Sequence, residues 1–216
     1  MIDPREIEAK FEIDRDGSAA LKRVDTIGRF TVASRSVVRQ DDLYFDTPDS
    51  RLAAAGATLR VRRGPTGAVM TFKGNREWAS DPGEAHIASR LEDEVDVPVA
   101  FADQVSERDP LPDGELSPLT RARELAGAGP YVPTARIDNM RTIVDLVDAS
   151  GTRLELAIDH CRGTRLADGR VVEFDEVEVE AKGASREIVV EAASAIGGVA
   201  PSLRASGVTK LERTLR

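Results

Sequence analysis

Glu6-Ile7-Glu8-Ala9-Lys10, running on into Phe11 and Ile13, is the stretch on which the reading of this chain turns. With period two, Ile7, Ala9, Phe11 and Ile13 point one way while Glu6, Glu8 and Lys10 point the other. In a strand, residues two apart on one face lie roughly 6.6 Å from each other. Two carboxylates and an ammonium at that spacing can hold a divalent cation and one edge of a polyanion. The same alternation belongs to any half-buried edge strand with a solvated charged face, so this stretch alone leaves both readings open.

The totals narrow the field. The chain has 216 residues, 31% of them charged and 41% hydrophobic, which suits one globular domain with a proper core. A net charge of -8 argues against a nucleic-acid partner, while leaving room for a local basic pocket that takes a small anion. No apolar run approaches a membrane span and no signal-peptide pattern opens the sequence, so the expectation is a cytoplasmic protein without a membrane partner. Cys161 is the only cysteine, which excludes an intrachain disulfide and disfavours a thiolate metal site. His86 and His160 lack the spacing of a zinc-type site. A metal here would be hard and oxygen-bound, Mg²⁺ or Mn²⁺.

Along the chain, Asp16-Gly17-Ser18 leads into a short helical pattern through Leu21, Val24 and Ile27. An extended stretch from Phe30 to Asp46 is stopped by Pro48, and Ser50 to Ala55 can make one helical turn closed by Gly56. Thr58 to Arg63, the turn Gly64-Pro65-Thr66-Gly67, and Ala68 to Lys73 form a hairpin signature. Arg60 and Arg62 share a face, and so do Thr71 and Lys73, opposite Met70 and Phe72. Residues 75 to 85, including Trp78, read as a polar loop. His86 to Val97 is strand-like, with Arg90, Glu92, Glu94 and Asp96 on one side and Asp93 set awkwardly among the apolar residues. The segment from about 100 to 130 reads as a helical crossover inside a single domain spanning 1–216. Strand patterns resume at Arg136 to Asp148, Arg153 to Cys161 and Val171 to Lys182, and helical patterns follow at Ser185 to Ile196 and about Ser206 to Leu215. Gly197-Gly198 is a helix end and not a phosphate loop, because no strand and helix flank it correctly.

The signs on the charged faces are sorted by strand. Arg60, Arg62 and Lys73 lie on one hairpin, and Glu176, Glu178 and Glu180 on the strictest alternation in the chain. A solvated face is normally mixed. Sorted faces fit a sheet closed on itself, with a polar interior and an apolar exterior covered by helices. Buried charges need partners, and a polyphosphate with its metal ions supplies both signs at once.

Taken in order, Glu6-Ile7-Glu8-Ala9-Lys10, Tyr44-Phe45-Asp46-Thr47-Pro48, Leu59-Arg60-Val61-Arg62, Thr71-Phe72-Lys73-Gly74, Leu154 to Asp159, Glu176-Val177-Glu178 and the late Lys210 resemble the CYTH superfamily of triphosphate tunnel metalloenzymes. The resemblance implies an α+β fold, an eight-stranded antiparallel β-barrel whose tunnel is lined by Glu, Lys and Arg, with helices packed outside. It implies phosphate binding by Lys10, Arg60, Arg62, Lys73, Arg136, Arg141 and Lys210. It implies metal ligation by Glu6, Glu8, Asp159, Glu176 and Glu178, and catalytic roles for Glu8, Lys73, Asp159 and Glu176. Arg136 and Arg141 are an odd number of residues apart, so either a bulge separates them or only one faces inward, and Arg136 is the preferred assignment. Glu92, Glu94, Glu180 and Arg90 lie on plausible inward faces with a looser match.

The activity that the resemblance implies is Mg²⁺- or Mn²⁺-dependent hydrolysis of a small-molecule triphosphate, with inorganic triphosphate favoured because no base- or thiamine-specific pocket is announced. The competing readings are a class IV adenylate cyclase, a thiamine triphosphatase and a non-catalytic polyphosphate-binding module. The chain would act as a monomer or homodimer.

Overall fold

Alternating strands need somewhere to put two different faces, and the chain meets that need by closing its sheet. The computed structural model describes residues 5–78, 87–181 and 185–216. In chain order the elements are β1 (Arg5–Ile13), α1 (Arg15–Leu21), β2 (Thr26–Ile27), β3 (Phe30–Asp46), α2 (Arg51–Ala54), β4 (Thr58–Gly64), β5 (Gly67–Trp78) and β6 (Ile87–Val97). Then come α3 (Val99–Ala102), α4 (Ser117–Ala126), β7 (Val132–Val147), β8 (Arg153–Arg165), β9 (Val171–Ala181), α5 (Arg186–Val199), β10 (Arg204–Ala205) and α6 (Lys210–Leu215). Neighbours run β1-β6-β5-β4-β3-β7-β8-β9, and β9 pairs back onto β1, closing a ring of eight antiparallel strands.

Residues directly opposite one another across a ladder share a face. Lys10 stands opposite Glu178, Asp159 opposite Glu176, and Glu155 opposite Glu180, so the charged faces of β1, β8 and β9 all turn into the ring. The apolar faces turn out. Ala9, Phe11 and Ile13 join Leu154, Leu156, Val177 and Val179 in a core beneath α1 and α5, which contribute Leu21, Val189, Ala192 and Ile196. A second core sets Leu59, Val61, Met70 and Phe72 of the hairpin beneath Leu52 of α2 and Leu119 and Ala122 of α4. Asp93 belongs to that outer face: its carboxylate accepts hydrogen bonds from Ser117 Oγ and Arg121 Nε of α4.

Local chemistry sets several boundaries. Asp46 accepts from the backbone N–H groups of Thr47, Leu52 and Ala53, which fastens the short helix α2 to the end of β3. The polar stretch expected to be a loop from 75 is strand as far as Trp78, since Arg76, Glu77 and Trp78 pair with Arg90, Ser89 and Ala88 after a register shift. His86 lies outside the described residues. The last helix begins at Lys210 and not near Ser206, because Thr209 caps it reciprocally with Glu212, while Arg204 and Ala205 pair with β1. Gly197 and Gly198 fall in the last turns of α5. Among the described residues, no helix is long and apolar enough to cross a membrane.

The helix α6 packs on β7, β8 and β9 from the inward side, with Leu211 and Leu215 beside Tyr44, Ala135, Ile137 and Cys161. Gly163 makes the close approach possible: a Cβ there would overlap Thr214 Oγ1 and stand 2.9 Å from its Cγ2. Gly163→Ala should therefore cost about 1–3 kcal/mol of stability by overpacking. Urea denaturation measures it, and an unchanged midpoint would show that α6 does not depend on this seat.

Candidate active site

The inward faces enclose a cavity of about 310 Å³. Among the described residues, seven basic side chains line it: Lys10, Arg60, Arg62, Lys73, Arg90, Arg141 and Lys210. Five carboxylates, Glu92, Glu94, Glu155, Glu178 and Glu180, share the wall. β4 and β5 supply one basic side through a two-residue turn that keeps Arg60, Arg62, Thr71 and Lys73 in register. β1, β7 and α6 supply the other.

Three carboxylates, Asp159, Glu176 and Glu178, have oxygens within 4.8 Å of one another. Asp159 and Glu176 are fully buried, and the Glu178 side chain is 12% exposed. Three cations neutralise them. Arg141 grips Asp159 with two hydrogen bonds, Nε to Oδ1 at 2.8 Å and Nη2 to Oδ2 at 2.7 Å, and reaches Glu178 Oε2 at 2.6 Å. Lys210 Nζ contacts Asp159 Oδ2 and Glu178 Oε1, each at 2.9 Å, together with Glu176 Oε1. Lys10 Nζ lies 2.6 Å from Glu178 Oε1 and 3.2 Å from Glu176 Oε1. Asn139 adds a hydrogen bond to Asp159 Oδ1.

The protonation states follow. Burial works to raise Asp159, but Arg141 and Lys210 outweigh it and hold the acid well below its ordinary value. Burial is likewise overcome at Glu178 by Lys10, Lys210 and Arg141. At Lys210, burial opposes the charge, yet Asp159, Glu176 and Glu178 raise its pKa well above the usual lysine value, and Lys10 is raised in the same way. Among the described residues, one buried acceptor is left over. Glu176 Oε2 has no hydrogen-bond partner, and an all-oxygen set with a free buried lone pair fits Mg²⁺ or Mn²⁺.

Across the cavity, Asp42 is fully buried and holds Arg62 through Nε at 2.6 Å and Nη2 at 2.8 Å, with Arg60 at 3.5 Å. Arg60 also donates to Thr71 Oγ1, which in turn donates to Glu94. The Nε–H of Arg60 is a buried donor without a partner. Lys73 pairs with Glu92 at 3.1 Å.

A CYTH domain model matches residues 4–215. The chain belongs to the CYTH family. Solved structures carry the same fold. The putative adenylyl cyclase HpAC1 from Hippeastrum, described as revealing a dominant triphosphatase activity, superposes with a TM-score of 0.69 at 18% identity, over 97% of this chain and 94% of that one. A putative adenylate cyclase from Bacillus halodurans gives 0.65 at 18% identity, over 99% and 100%. The RNA triphosphatase domain of the mimivirus mRNA capping enzyme gives 0.54 at 11% identity, over 91% and 87%. At such identities the likeness is one of fold. No curated protein sequence matches the chain.

Of the residues singled out in this CYTH sequence, Lys10, Arg60, Arg62, Lys73, Arg141 and Lys210 come together on the cavity wall. Asp159, Glu176 and Glu178 gather beside it. Glu8 is buried on the same inward face, where it accepts from Arg90 at 3.2 Å, and it stands outside the carboxylate trio. The side chain of Glu6 lies outside the described residues. Arg136 is the correction. No bulge separates it from Arg141, so strand parity sends it outward, where it pairs with Asp41, Asp138 and Glu107. Asp42 and Asn139 were not expected at all. Asp41-Asp42 is an adjacent pair, of which only one can face in, and the only available signal was its place two residues before Tyr44.

Asp159 and Glu178 sit below their unfolded-state pKa values, so their contribution to stability is full above about pH 5 and lost as pH falls through the lowered values. Lys10 and Lys210 are raised, so their share is full below about pH 10 and lost above it. Asp159→Asn should cost about 3–5 kcal/mol at pH 7, since it leaves buried cations uncompensated. Urea denaturation at several pH values should show the gap to the parent narrowing toward pH 2, whereas a constant gap would mean that Asp159 is not ionised in the fold.

Proposed function

We propose that this CYTH protein hydrolyses a triphosphate inside the ring, with inorganic triphosphate the preferred substrate and pyrophosphate and phosphate the products. The observation that carries the reading is the meeting of a cavity rich in arginine and lysine with a buried carboxylate trio, each side keeping one unsatisfied buried group, Arg60 Nε and Glu176 Oε2. A polyanion answers the first and a hard divalent cation the second.

Phosphoryl transfer asks the protein for position and charge neutralisation more than for covalent help. Arg60 and Arg62, braced by Asp42, hold phosphate oxygens on one wall, with Lys73 beside them. Lys10, Arg141 and Lys210 face them from the other. Asp159, Glu176 and Glu178 would hold Mg²⁺ or Mn²⁺, with Glu8 and Glu6 as further ligands on β1. The metal, when bound, supplies positive charge against the phosphate oxygens. The attacking water gives its proton to a carboxylate of this set as its oxygen bonds the terminal phosphorus, and the bridging P–O bond breaks to release pyrophosphate. The reading places the enzyme in the cytoplasm, as a monomer or homodimer.

A second reading rests on a separate observation. A more apolar cavity of about 450 Å³, lined by Phe45, Ala53, Val132, Pro133 and Leu215, shares Thr58 and Leu211 with the first. An organic triphosphate can place its organic group there, as ATP would in an adenylate cyclase.

One panel separates the two: phosphate release from triphosphate, ATP and thiamine triphosphate, with cyclic AMP detection, in Mg²⁺ and in Mn²⁺. Triphosphate should be cleaved with the highest catalytic efficiency, and excess EDTA should abolish activity. Cyclic AMP as the dominant product from ATP would establish the cyclase instead.

Arg60→Ala and Lys73→Ala should each lower kcat/KM for triphosphate by about ten- to a hundredfold, the scale of one charge-assisted contact. Parent-like kinetics in both variants would show that this wall does not touch the substrate.

A further inference from the structure

The ammonium of Lys210 has three N–H donors, and in this structure three carboxylates take them: Asp159, Glu176 and Glu178. No donor is left for a phosphate. The carboxylates are nearly as full. A carboxylate offers about four lone-pair sites. Asp159 receives Asn139 and Arg141 on Oδ1 and Arg141 and Lys210 on Oδ2, which uses all of them. Glu178 receives Lys10 and Lys210 on Oε1 and Arg141 on Oε2. Glu176 Oε2 receives no donor, and Glu178 Oε2, with Arg141 alone, keeps one site, but Asp159 has none left. A divalent ion shared by the trio must therefore displace a donor, and charge points the same way. Three carboxylates against Lys10, Lys210 and Arg141 make a neutral cluster, to which a lone dication would add two uncompensated positive charges in a buried place.

We propose that Lys210 is an exchangeable counter-ion: it holds the metal site closed until a triphosphate arrives, then passes from the carboxylates to the phosphate chain as the metal takes its place. This deepens the triphosphatase reading and rests on it. Lys210 is suited to the exchange by position. It is the first residue of α6, inside the Thr209–Glu212 capping box, so the helix start is fixed while the four-carbon side chain remains free to swing. It lines the basic cavity and touches the carboxylate trio, so both partners are within its reach. Metal and triphosphate then bind cooperatively, each freeing the groups the other needs, and by linkage the coupling is reciprocal.

Binding of Mn²⁺, read from the electron paramagnetic resonance of the free ion, tests this without turnover. Parent and Lys210→Met are titrated alone and with bis-methylene triphosphate, whose bridging carbons resist hydrolysis. Alone, Lys210→Met should bind Mn²⁺ about ten- to a hundredfold more tightly than the parent, the scale of a lost charge-assisted contact. With the analogue present the parent should draw level, and the variant should bind the analogue more weakly. Lys73→Met, which removes an equal charge paired to Glu92, controls for the general field and should tighten Mn²⁺ much less. Equal tightening in Lys210→Met and Lys73→Met, or none in Lys210→Met, overturns the exchange. If Lys210→Met does not fold, Lys10→Met carries the same comparison, since Lys10 touches two of the three carboxylates. Phosphate release by the parent is measured separately: absent hydrolysis with the binding pattern intact overturns the activity and upholds the exchange.

Discussion

The ion cluster of Lys10, Arg141 and Lys210 with Asp159, Glu176 and Glu178 joins parts of the chain that are far apart in sequence. It draws on β1, β7, β8, β9 and α6, and it sits at the seam where the first strand pairs with β9 to close the ring. Such a cluster is a weak source of net stability, because desolvating each ion offsets most of the mutual attraction. Its effect is on which structure forms. Slipping β1 by one residue against β9 would send Lys10 to the outer face and leave Glu176 and Glu178 buried without it, so the seam has a single tolerable register.

With its interior given over to charge, the ring has to find its hydrophobic burial outside. The two cores lie between the outward faces of the strands and the helices α1, α5, α2 and α4. The helices cover outward strand residues that would otherwise face water, Phe11 and Ile13 under α1 and α5, and Leu59 and Phe72 under α2 and α4. Asp93, polar on an apolar face, is accounted for by the same layer, as the acceptor that fastens α4 through Ser117 and Arg121.

Much of this was legible because strand faces follow from parity alone. Glu176-Val177-Glu178-Val179-Glu180 announces two faces of opposite character, and the sorting of signs between strands announces that the charged faces meet. Parity also shows that Arg136 and Arg141 cannot both face in on a regular strand. It cannot say which does, since that depends on the register of β7 against β3 and β8, a long-range property. The same limit hid Asp42 behind Asp41. Lys210 carries no local signal of its role. A lysine at a helix start looks like any surface lysine until the helix is seen lying against the inward side of the sheet, which Gly163 permits. The apolar cavity beside the first was invisible for a similar reason, being assembled from α2, α6 and the ends of β7 and β8.

The cations of the cavity are held in two different ways, and the difference bears on what each can do. Arg60 and Arg62 answer to Asp42, which lies apart from the carboxylate trio, so their forks are oriented whether or not a metal is present. Guanidinium donors also outnumber the bonds that Asp42 and Thr71 take from Arg60, which leaves its Nε–H for a ligand. These two are a fixed wall. Lys10 and Lys210 answer to the trio itself, and on the proposed reading each single ammonium gives up a carboxylate for every phosphate oxygen it gains. Arg141 stands between the two classes, bound to Asp159 through both arms of its fork and to Glu178 through one of them. A site that kept all its cations in the first state would bind polyanions at rest, and one that kept all in the second would have nothing oriented to receive them. On the proposed reading, the division of labour between arginine and lysine lets the interior stay electrically satisfied and still present a prepared surface to a triphosphate.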